Sequence, residues 1–169
     1  MKPQDKPKIK HLFSPWRMEY VSSLSPNDNI FLDALEAGND RESLILYRGK
    51  LSFIIMNLYP YNNGHLMVVP YRKVNSMVDL TRNELEEIMN LSKKSMNIIN
   101  NKLHSDGFNF GLNIGKCAGA GIDDHIHFHI VPRWNGDNNF MPVSGNTKII
   151  VQGLYDTYDA LHPSFKKIS

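Results

Sequence analysis

The stretch His-Ile-His-Phe-His-Ile-Val at residues 125–131 decides the fold, because three histidines alternate strictly with large apolar residues. In a β-strand, successive side chains point to opposite faces of the sheet. The alternation therefore predicts a strand over residues 125–131 whose apolar side chains, Ile126, Phe128 and Ile130, face a core. The three histidines would line the other face. Because imidazoles are costly to bury without partners, we expect that face to meet a ligand rather than more core.

Length and composition limit the classes of protein to which this chain can belong. It has 169 residues, with 19 basic and 17 acidic side chains, which predicts one domain with a proper core and gives no indication of nucleic-acid binding. Its apolar runs are too short to cross a bilayer, and the N-terminus lacks the apolar segment of a secretory signal. The single cysteine, Cys117, allows no internal disulfide, which is typical of a reducing compartment. We therefore expect a cytoplasmic protein that binds neither membranes nor nucleic acids.

The order of predicted elements indicates an α+β domain. Residues 1–28 contain four prolines and are predicted to form an extended arm, and residues 29–169 a single domain. One long helix should follow Thr81, because Thr81 and Glu84 form a capping box and apolar residues follow at helical spacing. The other predicted elements are a short helix (33–38), strands (44–47, 51–57, 65–69, 108–114) and a C-terminal helix (148–161). Together they predict an antiparallel sheet of about five strands, one long helix and a C-terminal helix.

Three interpretations of the histidine run are open from the residues alone. The first is a metal site, but the outer histidines of a straight strand lie roughly 13 Å apart at ~3.3 Å per residue, and zinc requires nitrogen ligands at ~2.0–2.1 Å. The second is a set of structural histidines that are satisfied within the protein. The third is phosphate chemistry, in which a neutral imidazole that donates one N–H to a fixed acceptor keeps a nucleophilic lone pair on its other nitrogen. The glycine-rich turn at 115–121, with Gly119 and Gly121, would offer backbone N–H groups to anionic oxygens.

The histidine run resembles the signature of the histidine-triad family, in which each of three histidines is followed by an apolar residue. The segments 57–65 and 113–115 resemble the nucleotide-binding strands of that family in order and spacing. Residues 132–141, together with Trp16 and Arg17, resemble its dinucleoside polyphosphate branch. The resemblance covers roughly residues 15–160.

The resemblance implies unequal roles for the histidines. His127 would attack the α-phosphorus of a nucleotide to give a nucleotidyl-histidine intermediate, and the backbone carbonyl of His125 would fix its tautomer. His129 would donate to a phosphate oxygen, and His65 would support the first histidine of the triad. Substrate contacts are expected from Asn57 at the ribose, from Asn113 at the phosphates, and from Gly119, Gly121, Arg133 and Asn139. A surface pair between Arg133 and Asp137 is an equal alternative for that arginine.

The resemblance also implies a homodimer with one extended sheet and a reaction that needs no cofactor. Many bacterial relatives carry a Cys-x-x-Cys pair near the N-terminus that helps to bind structural zinc, but this chain has Asn-Ile-Phe-Leu at residues 29–32, so no zinc site is expected. Magnesium is expected at most as a counter-ion of the substrate. The predicted function is a nucleotidyl hydrolase or transferase that cleaves diadenosine tetraphosphate. The alternatives are a nucleoside phosphoramidase, whose branch follows the triad with glycines, and a nucleotide-binding sensor with incidental hydrolysis.

Overall fold

The computed structural model describes residues 30–137 and 152–168. The predicted arm (1–28) and Asn139 lie outside the described residues. In chain order, the helices and strands are α1 (Ile30–Glu36), β1 (Ile45–Arg48), β2 (Ser52–Met56), β3 (Leu66–Pro70), α2 (Arg82–Leu103), β4 (Gly107–Gly111), β5 (Phe128–Arg133) and α3 (Leu154–Phe165). The predicted α+β class, with one long helix and a C-terminal helix, is confirmed.

The five strands form one antiparallel sheet in the order β1-β2-β3-β5-β4. The histidine-bearing strand β5 therefore lies between β3 and β4. His129 is opposite Met67 on one side and Gly111 on the other, so these three residues share one face of the sheet. Ile130 is opposite Leu66 and points to the other face.

The core is built from the alternation that the sequence predicts. Phe128 and Ile130 are fully buried. Helix α2 packs across β2, β3 and β5, and α3 packs against α2 and β1. The start of α2 is fixed by the predicted capping box, in which Thr81 accepts a hydrogen bond from the backbone N–H of Glu84 and the Glu84 carboxylate accepts from the backbone N–H of Thr81.

The prediction of a strand over residues 125–131 is wrong at its beginning, since β5 starts at Phe128. The pairing of β5 with β3 ends at Phe128, opposite Val68, and residues 125–127 make other contacts. There His125 donates from Nε2 to the carbonyl of Pro70, and the backbone N–H of Ile126 donates to the carbonyl of Val74. Two of the three histidines thus precede the strand and are held by other contacts.

Two further boundaries differ from the prediction. Strand β4 ends at Gly111 rather than at residue 114, because the chain then leaves the sheet toward a short 3₁₀ turn at Lys116–Ala118. Helix α3 begins after Gly153, which is its N-cap, and continues through Pro163 to Phe165. Within the described residues, no helix is long and apolar enough to cross a membrane.

Candidate active site

His127 is held in the tautomer that a nucleophile requires. Its Nδ1 donates to the backbone carbonyl of His125 at 2.9 Å, and because a carbonyl can only accept, the hydrogen of the neutral ring lies on Nδ1. Nε2 therefore carries the lone pair. Burial lowers the pKa of His127, so the ring is neutral at pH 7. The side chain of His125 is fixed in turn by its hydrogen bond from Nε2 to the carbonyl of Pro70 at 2.8 Å.

Two linked hydrogen bonds fix the tautomer of His129. The backbone N–H of Tyr61 donates to Nδ1 of His65 at 3.1 Å, which leaves the hydrogen of a neutral His65 on Nε2. That Nε2 lies 2.9 Å from Nδ1 of His129 and donates to it. The hydrogen of His129 is therefore on Nε2, and His129 is a hydrogen-bond donor. The expectation that His65 supports the first triad histidine is wrong in this respect, since its partner is the third.

The rings of His127 and His129 lie together, with centroids 4.8 Å apart and planes at 78°. A nucleophilic nitrogen and a donor nitrogen are thus brought to one place on the sheet face. An anionic phosphorus centre that approaches Nε2 of His127 would meet the N–H of His129 at one of its oxygens.

Phe31 covers the other side of the histidines. Its ring centroid lies 5.3 Å from that of His125 and 5.2 Å from that of His127, and it also packs against Phe53. The expectation that the histidine face meets a ligand rather than more core is therefore wrong at His125 and His127, where Phe31 packs on this face. The apolar side chain of Phe31 contributes to the burial that is the main cause of the lowered pKa values of both His125 and His127.

A cleft of about 560 Å³ opens beside His129, a size typical of small-molecule sites. It extends over β4 and β5 toward the edge of the sheet. Two predicted substrate-binding residues, Asn113 and Gly119, line it, and Gly121 is not among the described residues that do. Asn57 lies at the end of β2, where its backbone N–H donates to the carbonyl of His65 and its Oδ1 accepts from the N–H of Tyr59 at 2.9 Å.

The glycine-rich turn is partly closed on itself. Lys116–Ala118 forms one turn of 3₁₀ helix, with Gly115 and Gly119 at its ends in positive-φ conformations that favour glycine. The backbone N–H of Gly119 donates to the carbonyl of Lys116 at 3.0 Å. Gly119 therefore borders the cleft without offering its own N–H to a phosphate, which corrects the expected role of that group.

Arg133 lines the cleft, but its charge is already paired. Its Nε and Nη2 donate to the two carboxylate oxygens of Asp137 at 2.6 and 2.8 Å, and its Nη1 donates to Oδ1 of Asn109 at 2.8 Å. The alternative of an Arg133–Asp137 pair is confirmed. The guanidinium also holds the pKa of the Asp137 carboxyl well below its usual range.

Sequence reasoning missed several residues that shape the site. Phe31 stood out only as the occupant of the stretch where relatives carry cysteines, and no sequence signal singles out Asn62, whose partners lie 70 and 75 residues away along the chain. Trp134 donates from Nε1 to the carbonyls of Leu103 and His104, so its polar group serves the end of α2. Within residues 30–137 and 152–168, no group of three acidic, histidine or cysteine side chains is arranged to hold a metal ion.

Comparison with known proteins places this geometry among related molecules. The chain matches the HIT domain over residues 39–136. It is 42% identical over 157 residues to an AP-4-A phosphorylase of Mycobacterium tuberculosis, covering 88% of this chain and 80% of the relative. It is 36% identical over 95 residues to an asymmetrical bis(5'-nucleosyl)-tetraphosphatase of Schizosaccharomyces pombe, covering 56% and 52%. The crystal structure of a Hit-like protein from Bartonella henselae superimposes with a TM-score of 0.64 at 18% identity. The match covers 83% of this chain and 99% of that chain, which shows that the two share a fold.

Proposed function

The chain belongs to the HIT domain family, and on that premise we propose that it cleaves dinucleoside polyphosphates, diadenosine tetraphosphate first among them, through a nucleotidyl-histidine intermediate. The observation that carries the proposal is the tautomer of His127. Its Nδ1 is committed to the carbonyl of His125, so Nε2 is a neutral nucleophile beside the donor N–H of His129.

In the first step, the lone pair of His127 Nε2 forms a bond to the α-phosphorus. The bond from that phosphorus to its bridging oxygen breaks, and its electron pair leaves with the remaining polyphosphate. The hydrogen bond from His127 Nδ1 to the His125 carbonyl stabilises the positive charge that develops on the ring. The N–H of His129 stabilises negative charge on a phosphoryl oxygen.

In the second step, an oxygen nucleophile attacks the phosphorus and the electron pair of the N–P bond returns to Nε2. Either water or inorganic phosphate can be that nucleophile. The 42%-identical relative named as a phosphorylase favours inorganic phosphate. We therefore propose phosphorolysis, which yields ADP and ATP from diadenosine tetraphosphate, where hydrolysis would yield AMP and ATP.

Product analysis tests both parts of this proposal. The protein is incubated with diadenosine tetraphosphate, with and without inorganic phosphate, and the nucleotides are separated and identified. ADP plus ATP in the phosphate arm supports phosphorolysis, and AMP plus ATP in both arms supports hydrolysis. Tight AMP binding without turnover of any dinucleoside polyphosphate would instead favour a nucleotide sensor.

His127→Asn tests the nucleophile. We expect turnover to fall by more than about hundredfold, because asparagine has no nucleophilic ring nitrogen. His104→Asn is the matched control, since His104 is an exposed C-cap with φ +51°, a left-handed conformation that asparagine tolerates. Turnover of His127→Asn within tenfold of the wild-type value would show that the nucleophile is wrongly assigned.

The edge strand supports a proposed homodimer. Strand β4 has β5 as its neighbour on one side and forms the end of the sheet on the other. Phe110 in β4 and Ile114 just after it are exposed large apolar side chains. Pairing of two β4 strands would cover these groups and extend the sheet, which a solution mass measurement would detect as twice the chain mass. A cytoplasmic location stays a prediction, supported by the single cysteine.

A further inference from the structure

A polar network ties the loop that precedes His65 to the far end of β5. Asn62 is buried in this loop, with 6% of its surface exposed. Its Nδ2 donates to the carbonyl of Pro132 at 3.0 Å and to Oδ2 of Asp137 at 2.9 Å. Both hydrogens of that amide nitrogen are therefore used on β5 and on the turn that follows it, so the loop is anchored to the strand that carries His129.

The carboxylate that receives Asn62 is itself fixed. Asp137 accepts two hydrogen bonds from Arg133 and one from the backbone N–H of Trp134 at 3.3 Å. A carboxylate held by a bidentate guanidinium is ionised and rigid, and it is a strong acceptor. The acceptor of the Asn62 hydrogen bond is thus a fixed carboxylate rather than a mobile surface side chain.

The anchored loop is the one that sets the tautomer of His65. Tyr61 precedes Asn62 directly, and its backbone N–H is the donor to Nδ1 of His65. The Tyr61 ring also stacks on His65 at 4.8 Å between centroids, and the backbone carbonyl of Asn62 accepts from the N–H of His65. If the loop moved away, Nδ1 of His65 would lose its fixed donor. His65 would then take either tautomer, and the proton on His129 would no longer be confined to Nε2.

We propose that Asn62 and Asp137 are positioning residues of the active site. Acting through the Tyr61 amide and His65, they keep the hydrogen of His129 on Nε2, where it donates to a phosphoryl oxygen of the bound polyphosphate. The inference rests on the proposed function, because the donor role of His129 belongs to that reaction. The tautomer itself is a property of the protein without substrate.

Asn62→Ala tests this inference, and Asn63→Ala is its matched control. Asn63 lies in the same loop, but its Oδ1 accepts from Oγ1 of Thr157 in α3 at 3.1 Å, so its loss removes a tether on a different side. Nitrogen-15 NMR of the histidine side chains, recorded without substrate, reads the tautomer of His129. Steady-state kinetics with diadenosine tetraphosphate reads the consequence.

In Asn62→Ala we expect His129 to populate both tautomers and kcat to fall by about tenfold to hundredfold, with KM within about threefold of the wild-type value. Asn63→Ala should keep the Nε2–H tautomer and the wild-type kcat. Asn62→Ser, whose hydroxyl can still donate one hydrogen bond, should recover part of the loss. It carries the same test if the alanine variant does not fold.

A single Nε2–H tautomer of His129 in the folded Asn62 variants would overturn the inference, as would an equal effect of Asn63→Ala. Failure of the proposed function gives a different result, because the wild-type protein would then turn over no dinucleoside polyphosphate. The NMR comparison of the variants needs no substrate and would still test the tautomer of His129.

Discussion

Replacement of Phe31 should change the chemistry of His127 as well as the stability of the fold. The Phe31 ring is 1% exposed, and its centroid lies within 5.3 Å of the rings of both His125 and His127. Phe31→Ala leaves a cavity in a closely packed site, and such changes cost about 3–5 kcal/mol in the free energy of unfolding. Water that enters the cavity would also hydrate the two imidazoles.

The expected sign of the pKa change follows from the cause of the present shift. Burial is the largest cause of the lowered pKa of His127, so hydration should return it toward its ordinary value of 6.5. An imidazole with that pKa is about 90% protonated one pH unit lower. A protonated Nε2 has no lone pair, so kcat/KM of Phe31→Ala at pH 5.5 should fall below its own plateau, by up to about tenfold for a complete return. The acid limb of the wild-type profile should lie at lower pH.

The assay is the pH profile of kcat/KM for diadenosine tetraphosphate, measured alongside urea unfolding. Phe165→Ala is the matched control, because Phe165 is equally buried but lies in α3, which packs against α2 and β1. It should lose a similar free energy of unfolding and keep the wild-type acid limb. An unshifted acid limb in folded Phe31→Ala would refute the reasoning that this ring keeps His127 neutral. Phe31→Leu is a milder variant that serves if alanine is not tolerated.

Two further predictions concern stability. Glu84→Gln should lower the free energy of unfolding at pH 7 by about 1–2 kcal/mol, since it weakens both the helix cap and the ion pair with Arg72. The Arg72 guanidinium lowers the pKa of Glu84 to about 2, so the wild-type advantage should be complete above the unfolded value of 4.5 and disappear as the pH falls through about 2 in urea titrations. Gly64→Ala should be more destabilising than Gly38→Ala by up to about 1 kcal/mol in thermal unfolding, because both have positive φ but only at Gly64 would a Cβ meet the Leu103 side chain, at 2.7 Å, and force it to shift. Equal losses at the two glycines would show that backbone strain alone sets the cost.

Much of the fold could be predicted because it depends on local patterns. The capping box at Thr81 and Glu84 predicted the start of the long helix, and runs of apolar residues placed β1, β2 and β3 to within one residue at each end. The start of β5, wrongly predicted at His125, depends on where its pairing with β3 ends. The end of this pairing depends on two segments that are distant in the chain, so the histidine run alone does not predict it.

The histidines of the candidate site could be predicted from the sequence, but most of their contacts could not. The bond between His127 and the carbonyl of His125 joins residues two apart, and the expectation for it agrees with the structure. The partner of His65 was wrongly expected to be the first triad histidine, because strand register decides which imidazole His65 faces. Phe31 and Asn62 act through packing and long-range hydrogen bonds, which no short motif encodes.

The histidine contacts have a consequence for how this protein acquires its activity. The carbonyl that holds His125 is 55 residues away in the chain, and the ring that holds His129 is 64 residues away. Contacts of such sequence separation require the closure of long loops and form slowly compared with a helix such as α2. In the unfolded or half-made chain, these histidines are ordinary imidazoles that exchange tautomers freely. Recovery of turnover after refolding therefore reports that β3 and β5 have paired, rather than that helices have formed.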